Sequence, residues 1–153
     1  MEISNFGYSL TSPWWTHVTY IFAHASILHL IINLIGFISI FKFLSKIESK
    51  MYLLVFSFSA AVIMSFFTEK ELPTVGMSGV VYYLIGVFTT LVFYGRIAYK
   101  SWFSYTVFLF ALTLSLLISY FNKTSNFELH LSCFVVGVNA ENLKYSIKLY
   151  GGK

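Results

Sequence analysis

The chain has 153 residues, of which 58% are hydrophobic and only 10% charged, and its mean hydropathy is +0.76. A water-soluble domain of this size needs more charge to cover its surface, so the composition excludes that class and leaves a bilayer as the solvent. The formal charge of +4 does not indicate a nucleic-acid partner, because the 10 Lys and Arg residues stand singly between apolar runs.

Residues 1–13 are polar and turn-like, and they read as an extracytoplasmic N-terminal tail without a cleavable leader. Stretches without Asp, Glu, Lys or Arg follow at Trp14 to Phe41, Met51 to Phe67, Leu72 to Gly95 and Ser101 to Asn122, with a shorter one at Leu129 to Ala140. About 20 mostly apolar residues make a helical span. The expected spans are residues 18–41, 51–67, 76–95, 101–121 and 128–145. The fold class is therefore all-α: a polytopic membrane helical bundle of about five transmembrane helices in a single domain, residues 1–153. Between and after the spans, Lys42, Lys46, Lys50, Arg96, Lys100, Lys144, Lys148 and Lys153 fall on one side, and only Lys70 and Lys123 on the other. Basic segments stay in the cytoplasm, so the N-terminus is expected outside and the C-terminus inside, in the cytoplasmic membrane.

Polar side chains inside spans are costly, and each needs a reason. His24, His29 and Asn33 in the first span, Ser78 opening the third and His130 opening the fifth all fall toward the expected outer face. Ser78 sits in Gly76-Met77-Ser78-Gly79 after Pro73. A serine at a helix N-terminus has free backbone N–H groups beside its hydroxyl, which places a nucleophile next to donors for an oxyanion. The same residues fit small-residue helix packing. A serine hydroxyl needs a base, and His130 is the only histidine in the C-terminal half. On its own it fits an interfacial histidine equally well. His130, Cys133 and Gly137 form a slim i, i+3, i+7 face, and Tyr82 lies one turn beyond Ser78, placed to stack on the imidazole. His29 and Asn33 share a face as i, i+4 and suit an oxyanion, or an interhelical hydrogen bond. The lone Cys133 excludes an internal disulfide and any multi-cysteine metal site. His24, His29 and His130 make a weak metal set, because no carboxylate is expected inside the spans, and no cofactor or metal is expected.

Together these residues resemble the rhomboid intramembrane serine proteases. The run from His24 through His29 to Asn33 resembles the family's His-x4-His-x3-Asn. Gly76 to Tyr82 resembles its serine motif, including the tyrosine four residues on, and His130 to Gly137 resembles its histidine motif. Each piece alone is weak, but chance matches multiply, and here three stand in order across residues 14–140. The resemblance implies a serine-type endopeptidase acting on transmembrane protein substrates near the outer membrane face. It implies Ser78 as nucleophile, His130 as general base, and His29, Asn33 and the Ser78 N–H around the oxyanion, with His24, Gly76, Gly79 and Tyr82 in support. It implies a dyad with no acidic third member, which fits the absence of carboxylates expected inside the spans, and a gate formed in part by the fourth span and the loop from Asn122 to Glu128. The alternative is a non-catalytic rhomboid-like protein that binds membrane clients. Three departures stand out. Only Met1 to Pro13 stand before Trp14 in this sequence, so the span that precedes the histidine-asparagine helix in the six-span bacterial core is not expected within it. Trp15-Thr16 stands where the family often has Trp-Arg. Cys133 replaces a glycine, and its thiol is expected to push two helices slightly apart.

Overall fold

A computed structural model describes residues 3–97, 102–121 and 125–150, with side chains from residue 5 and, in the fourth long helix, from residue 106. Lys100, Lys123 and Lys153 of the charge count, and the Asn122 end of the expected gate loop, lie outside the described residues. A short α1 (Thr16–Thr19) precedes five long helices: α2 (Ile27–Leu44), α3 (Lys50–Ser65), α4 (Ser78–Phe93), α5 (Trp102–Phe121) and α6 (Phe127–Tyr150). Among the described residues there is no strand, only one antiparallel bridge between Tyr8 and Thr74.

The central element is α4, which packs against α2, α3 and, most extensively, α6. Tyr83, Leu84, Val80, Val87 and Leu91 on α4 are fully or almost fully buried, together with Leu53, Ala61, Leu129 and Cys133 from its neighbours. The α4–α6 crossing is close because two glycines face backbone. A Cβ at Gly137 would lie 2.2 Å from the Tyr83 carbonyl oxygen, and one at Gly86 would lie 2.3 Å from that of Phe134. Cys133 faces Gly79, where a Cβ would stand 3.3 Å from Sγ. The missing side chain on α4 takes up the bulk of the thiol on α6.

The outward faces are apolar, the reverse of a soluble bundle. Along α2 the mean hydropathy is 2.2 and only 11% of the residues are buried in protein. A helix that is apolar all round and not buried by its neighbours has lipid as its remaining environment. Of the described helices, α2 alone combines the length and hydropathy of a complete span; shorter apolar helices occupy Lys50–Ser65, Ser78–Phe93 and Thr106–Phe121.

Four expectations need correction. The first long helix begins at Ile27 rather than at residue 18. Ser26 is extended, and its hydroxyl accepts the His29 N–H at 3.1 Å, which starts the helix there. His24 therefore lies in the connection before α2, not two turns inside a helix. Residues 5–13 are not a free tail. Tyr8 is fully buried and exchanges backbone hydrogen bonds with Thr74, while Leu10 N–H donates to the Lys70 carbonyl at 3.0 Å. Nor is the interior free of carboxylates. Glu141 is 2% exposed and receives the Tyr52 hydroxyl and Lys144, and Lys144 and Arg96 both pair with Glu48. Partners of both kinds make that burial tolerable. With Glu141 so held, α6 runs on to Tyr150, beyond the expected end at 145.

The starts of α2, α4 and α6 thus lie at one end of the bundle, and the Glu48–Arg96–Lys144–Glu141 cluster marks the other. About 16 Å of helix separates His130 from Glu141, so these carboxylates stand apart from the serine.

Candidate active site

The serine is presented by a constrained turn. Gly76 adopts φ +113°, a conformation that L side chains avoid, and its N–H donates to the Tyr20 carbonyl at 2.8 Å. Ser78 is then the first residue of α4, after the cap Met77. At that position its backbone N–H has no partner within the helix and points out of the helix end. Tyr20, itself fully buried, donates its hydroxyl to the Ala61 carbonyl at 3.0 Å, so the turn rests on a fixed base.

The histidine is placed by the start of α6. Asn126 is 3% exposed, and its side-chain oxygen accepts the Leu129 N–H at 3.1 Å as a helix cap. Its amide nitrogen, with two hydrogens to give, lies within reach of three acceptors: the Thr68 carbonyl at 2.7 Å, the Tyr8 hydroxyl at 2.8 Å and the Thr74 hydroxyl at 3.0 Å. One residue therefore ties α6 to the N-terminal segment and to the turn before Ser78. Burial holds the Tyr8 hydroxyl well above its ordinary pKa, against the weaker opposing effect of its hydrogen bonds to Thr68 and Thr74, so it stays neutral in this knot.

Ser78 Oγ lies 2.7 Å from His130 Nε2. The Tyr82 ring stacks on the imidazole, with centroids 4.5 Å apart and planes 19° from parallel. The other ring nitrogen, Nδ1, lies 2.7 Å from Ser119 Oγ on α5. The Tyr82 hydroxyl donates to Ser115 Oγ at 3.0 Å, one turn earlier on α5. No carboxylate takes part in these contacts.

His29 lies over the turn: a Cβ at Gly76 would stand 2.7 Å from its Cε1 and 3.0 Å from its Nε2. Asn33 Nδ2 donates to the His29 carbonyl at 2.9 Å, which leaves one amide hydrogen for another partner. His24 does not join the serine and histidine. Its ring meets His29 edge-on at 5.2 Å and lines a separate apolar cavity of about 670 Å³ with Phe6 and Phe22. It reaches the site only by bracing His29.

Two cavities meet at Ser78, His130 and His29. One, of about 410 Å³, opens among the loops at Pro73, Val75 and Ser125. The other, of about 390 Å³, runs between α2 and α5 past Ile32, Asn33 and Ile118. A hydroxyl, an imidazole and helix-end N–H groups at the junction of a polar opening and an apolar cleft are groups able to take an acyl group from a bound carbonyl compound and hold its oxyanion. Among the described residues, no group of three or more His, Cys, Asp or Glu is arranged to hold a metal ion.

Sequence reading had not singled out Ser115, Ser119 or Asn126. The first two carried a signal, an i, i+4 polar pair in an apolar helix, whereas the role of Asn126 depends on partners 52 to 118 residues away. No curated protein matches the chain. The family pattern described as the rhomboid domain matches residues 11–145, which takes in the serine turn, the histidine helix and the His29–Asn33 face. The chain belongs to the rhomboid family, whose members are integral membrane proteins.

Proposed function

We propose that this chain is an intramembrane serine endopeptidase that hydrolyses peptide bonds in transmembrane protein substrates, with Ser78 as nucleophile and His130 as general base. The observation that carries this reading is the 2.7 Å approach of Ser78 Oγ to His130 Nε2 at the meeting of two cavities. In the first step Ser78 Oγ bonds to the scissile carbonyl carbon, its proton passes to Nε2, and the carbonyl electron pair moves onto oxygen. The Ser78 N–H, the remaining Asn33 amide hydrogen and His29 receive that oxyanion. His130 then returns the proton to the leaving amine as the C–N bond breaks. Water, activated by the same imidazole, releases the acyl group and restores Ser78.

Tyr82 holds the imidazole plane, Gly76 makes room for His29, and Gly79 lets α6 come near enough for His130 to reach the serine. The cleft between α2 and α5 suits lateral entry of a substrate segment, and the loop-side cavity suits water. The five helices α2 to α6 cross the bilayer, and the Ser78 end faces away from the cytoplasm. Support for that orientation comes from Lys42, Lys46, Lys50, Arg96, Lys144 and Lys148, all toward the opposite end.

A serine-directed phosphonate tests the reading on the protein in detergent. Labelling of Ser78 that disappears in His130→Ala is expected, and Ser78→Ala is expected to end cleavage of a membrane substrate while leaving thermal unfolding unchanged. Cleavage by Ser78→Ala at the wild-type rate means that the nucleophile is misassigned. Folded protein that neither labels nor cleaves means that the chain binds membrane clients without cutting them.

A further inference from the structure

Ser119 is 5% exposed and lies on a helix whose other faces are mostly apolar. Among the described residues its hydroxyl has two neighbours, His130 Nδ1 at 2.7 Å and Ser125 Oγ at 2.7 Å. A buried hydroxyl placed between an imidazole nitrogen and a second hydroxyl is an expensive arrangement unless its hydrogen bonds are made. Neutral imidazole carries one N–H, and the hydrogen bond made by one nitrogen settles the role left to the other. If Nδ1–H donates to Ser119 Oγ, Nε2 is left as the acceptor that Ser78 needs. Ser119 then donates to Ser125 Oγ, and every donor in the chain Ser78, His130, Ser119, Ser125 points the same way. In the opposite tautomer Nε2–H faces the Ser78 hydroxyl, and the base has no lone pair for its proton.

We propose that Ser119 is a positioning residue that holds His130 in its Nδ1–H tautomer, with a neutral hydroxyl where soluble serine hydrolases place a carboxylate; the proposal rests on the Ser78–His130 reading above. When Ser78 transfers its proton, Nδ1–H stays on the ring and donates to Ser119, whose lone pair faces the new positive charge. Ser115, one turn away on the same face of α5, holds the Tyr82 hydroxyl at 3.0 Å. The edge of the imidazole is thus held by α5 directly, and its stacked face is held by α5 through Tyr82. Seating of α5 and alignment of the base are one event, so displacement of α5 leaves His130 free to turn.

The experiment combines ring spectroscopy with kinetics on the full chain in detergent. Histidine labelled with ¹⁵N reports four rings, and the His130 signals are assigned by their loss in His130→Ala. The expected wild-type pattern has Nδ1 protonated and Nε2 unprotonated, and Ser119→Ala is expected to move it toward a mixture of tautomers. Against a membrane substrate, Ser119→Ala is expected to lower kcat about threefold to tenfold, the worth of one neutral hydrogen bond, with KM nearly unchanged. Ser119→Thr, which keeps the hydroxyl, is expected to restore both readouts. The proposal is overturned if Ser119→Ala keeps the wild-type ring spectrum and kcat, or if Ser119→Thr behaves like Ser119→Ala. A wild-type chain that cleaves nothing, yet whose His130 tautomer shifts in Ser119→Ala and returns in Ser119→Thr, refutes the protease reading and supports the positioning one.

Discussion

The partners of the polar side chains around Ser78 decide what each has left to offer. Asn33 spends one amide hydrogen on the His29 carbonyl, so it brings a single donor to an oxyanion. His29 is pressed over Gly76 and braced by His24. On the protease reading proposed above, replacing either donor removes an interaction that strengthens only as charge develops on the substrate oxygen. Asn33→Ala and His29→Ala are each expected to lower kcat by up to about 10²-fold, with KM changed much less. Steady-state cleavage kinetics check this, and unchanged kcat in both variants would remove these residues from the oxyanion site. Gly76 has no such latitude. Its positive φ and the imidazole above it leave no place for a Cβ.

Among the helices, one crossing matters more than the others. The contact of α4 with α6 brings Ser78 and His130 together, and it depends on Gly86 and Gly137 touching backbone rather than side chains. Backbone does not yield as a flexible side chain does. Gly137→Ala is expected to destabilise the protein by about 1–3 kcal/mol or more and to separate the serine from the histidine. Gly36→Ala is the control, because among the described residues its added Cβ meets only Val81 Cγ1 at 3.5 Å, an ordinary contact. Thermal unfolding in detergent, with phosphonate labelling as the readout of the site, distinguishes the two. Equal stability of both variants would mean that the crossing is looser than described. On α5, Ser115 and Ser119 add polar contacts to Tyr82 and His130 beside the apolar packing of Leu112 and Leu116.

At the scale of the molecule, the end that carries the site is closed by residues 5–20, and His17 is part of that closure. It is 2% exposed, stacks on Phe66 at 3.9 Å and on Tyr8 at 5.0 Å, and bonds Ser65 Oγ through Nδ1 at 2.9 Å. Burial pushes its pKa below the ordinary histidine value, and Glu69, 3.3 Å away, only partly offsets this. The unfolded chain therefore takes up a proton near pH 6.5 that the folded chain resists. This contribution to stability is intact at neutral pH and is lost as pH falls below about 6.5. The unfolding temperature is expected to drop between pH 7 and pH 5, and to drop less in His17→Phe, which keeps the stacking. An identical pH dependence in the two proteins would exclude His17 as the cause.

Much of this architecture is legible in the chain itself, because its causes are local. Long uncharged runs mark the helices, a glycine beside a serine marks a tight turn at a helix start, and i, i+4 spacing puts His29 with Asn33 and Ser78 with Tyr82. Ser26 also carried a local signal for the start of α2, but an unbroken apolar run masked it. What depends on distant partners was not legible. Residues 5–13 read as a tail because the bridge from Tyr8 to Thr74 joins segments far apart in the chain. Glu141 falls inside the span expected at 128–145, and its burial was not legible because Tyr52, its hydroxyl partner, comes from α3. The place of Ser119 beside His130 likewise depends on how α5 meets α6. Composition and spacing determine which solvent the chain accepts and which side chains share a helix face. Only tertiary packing decides which faces meet, because that turns on where two backbones approach closely enough to touch.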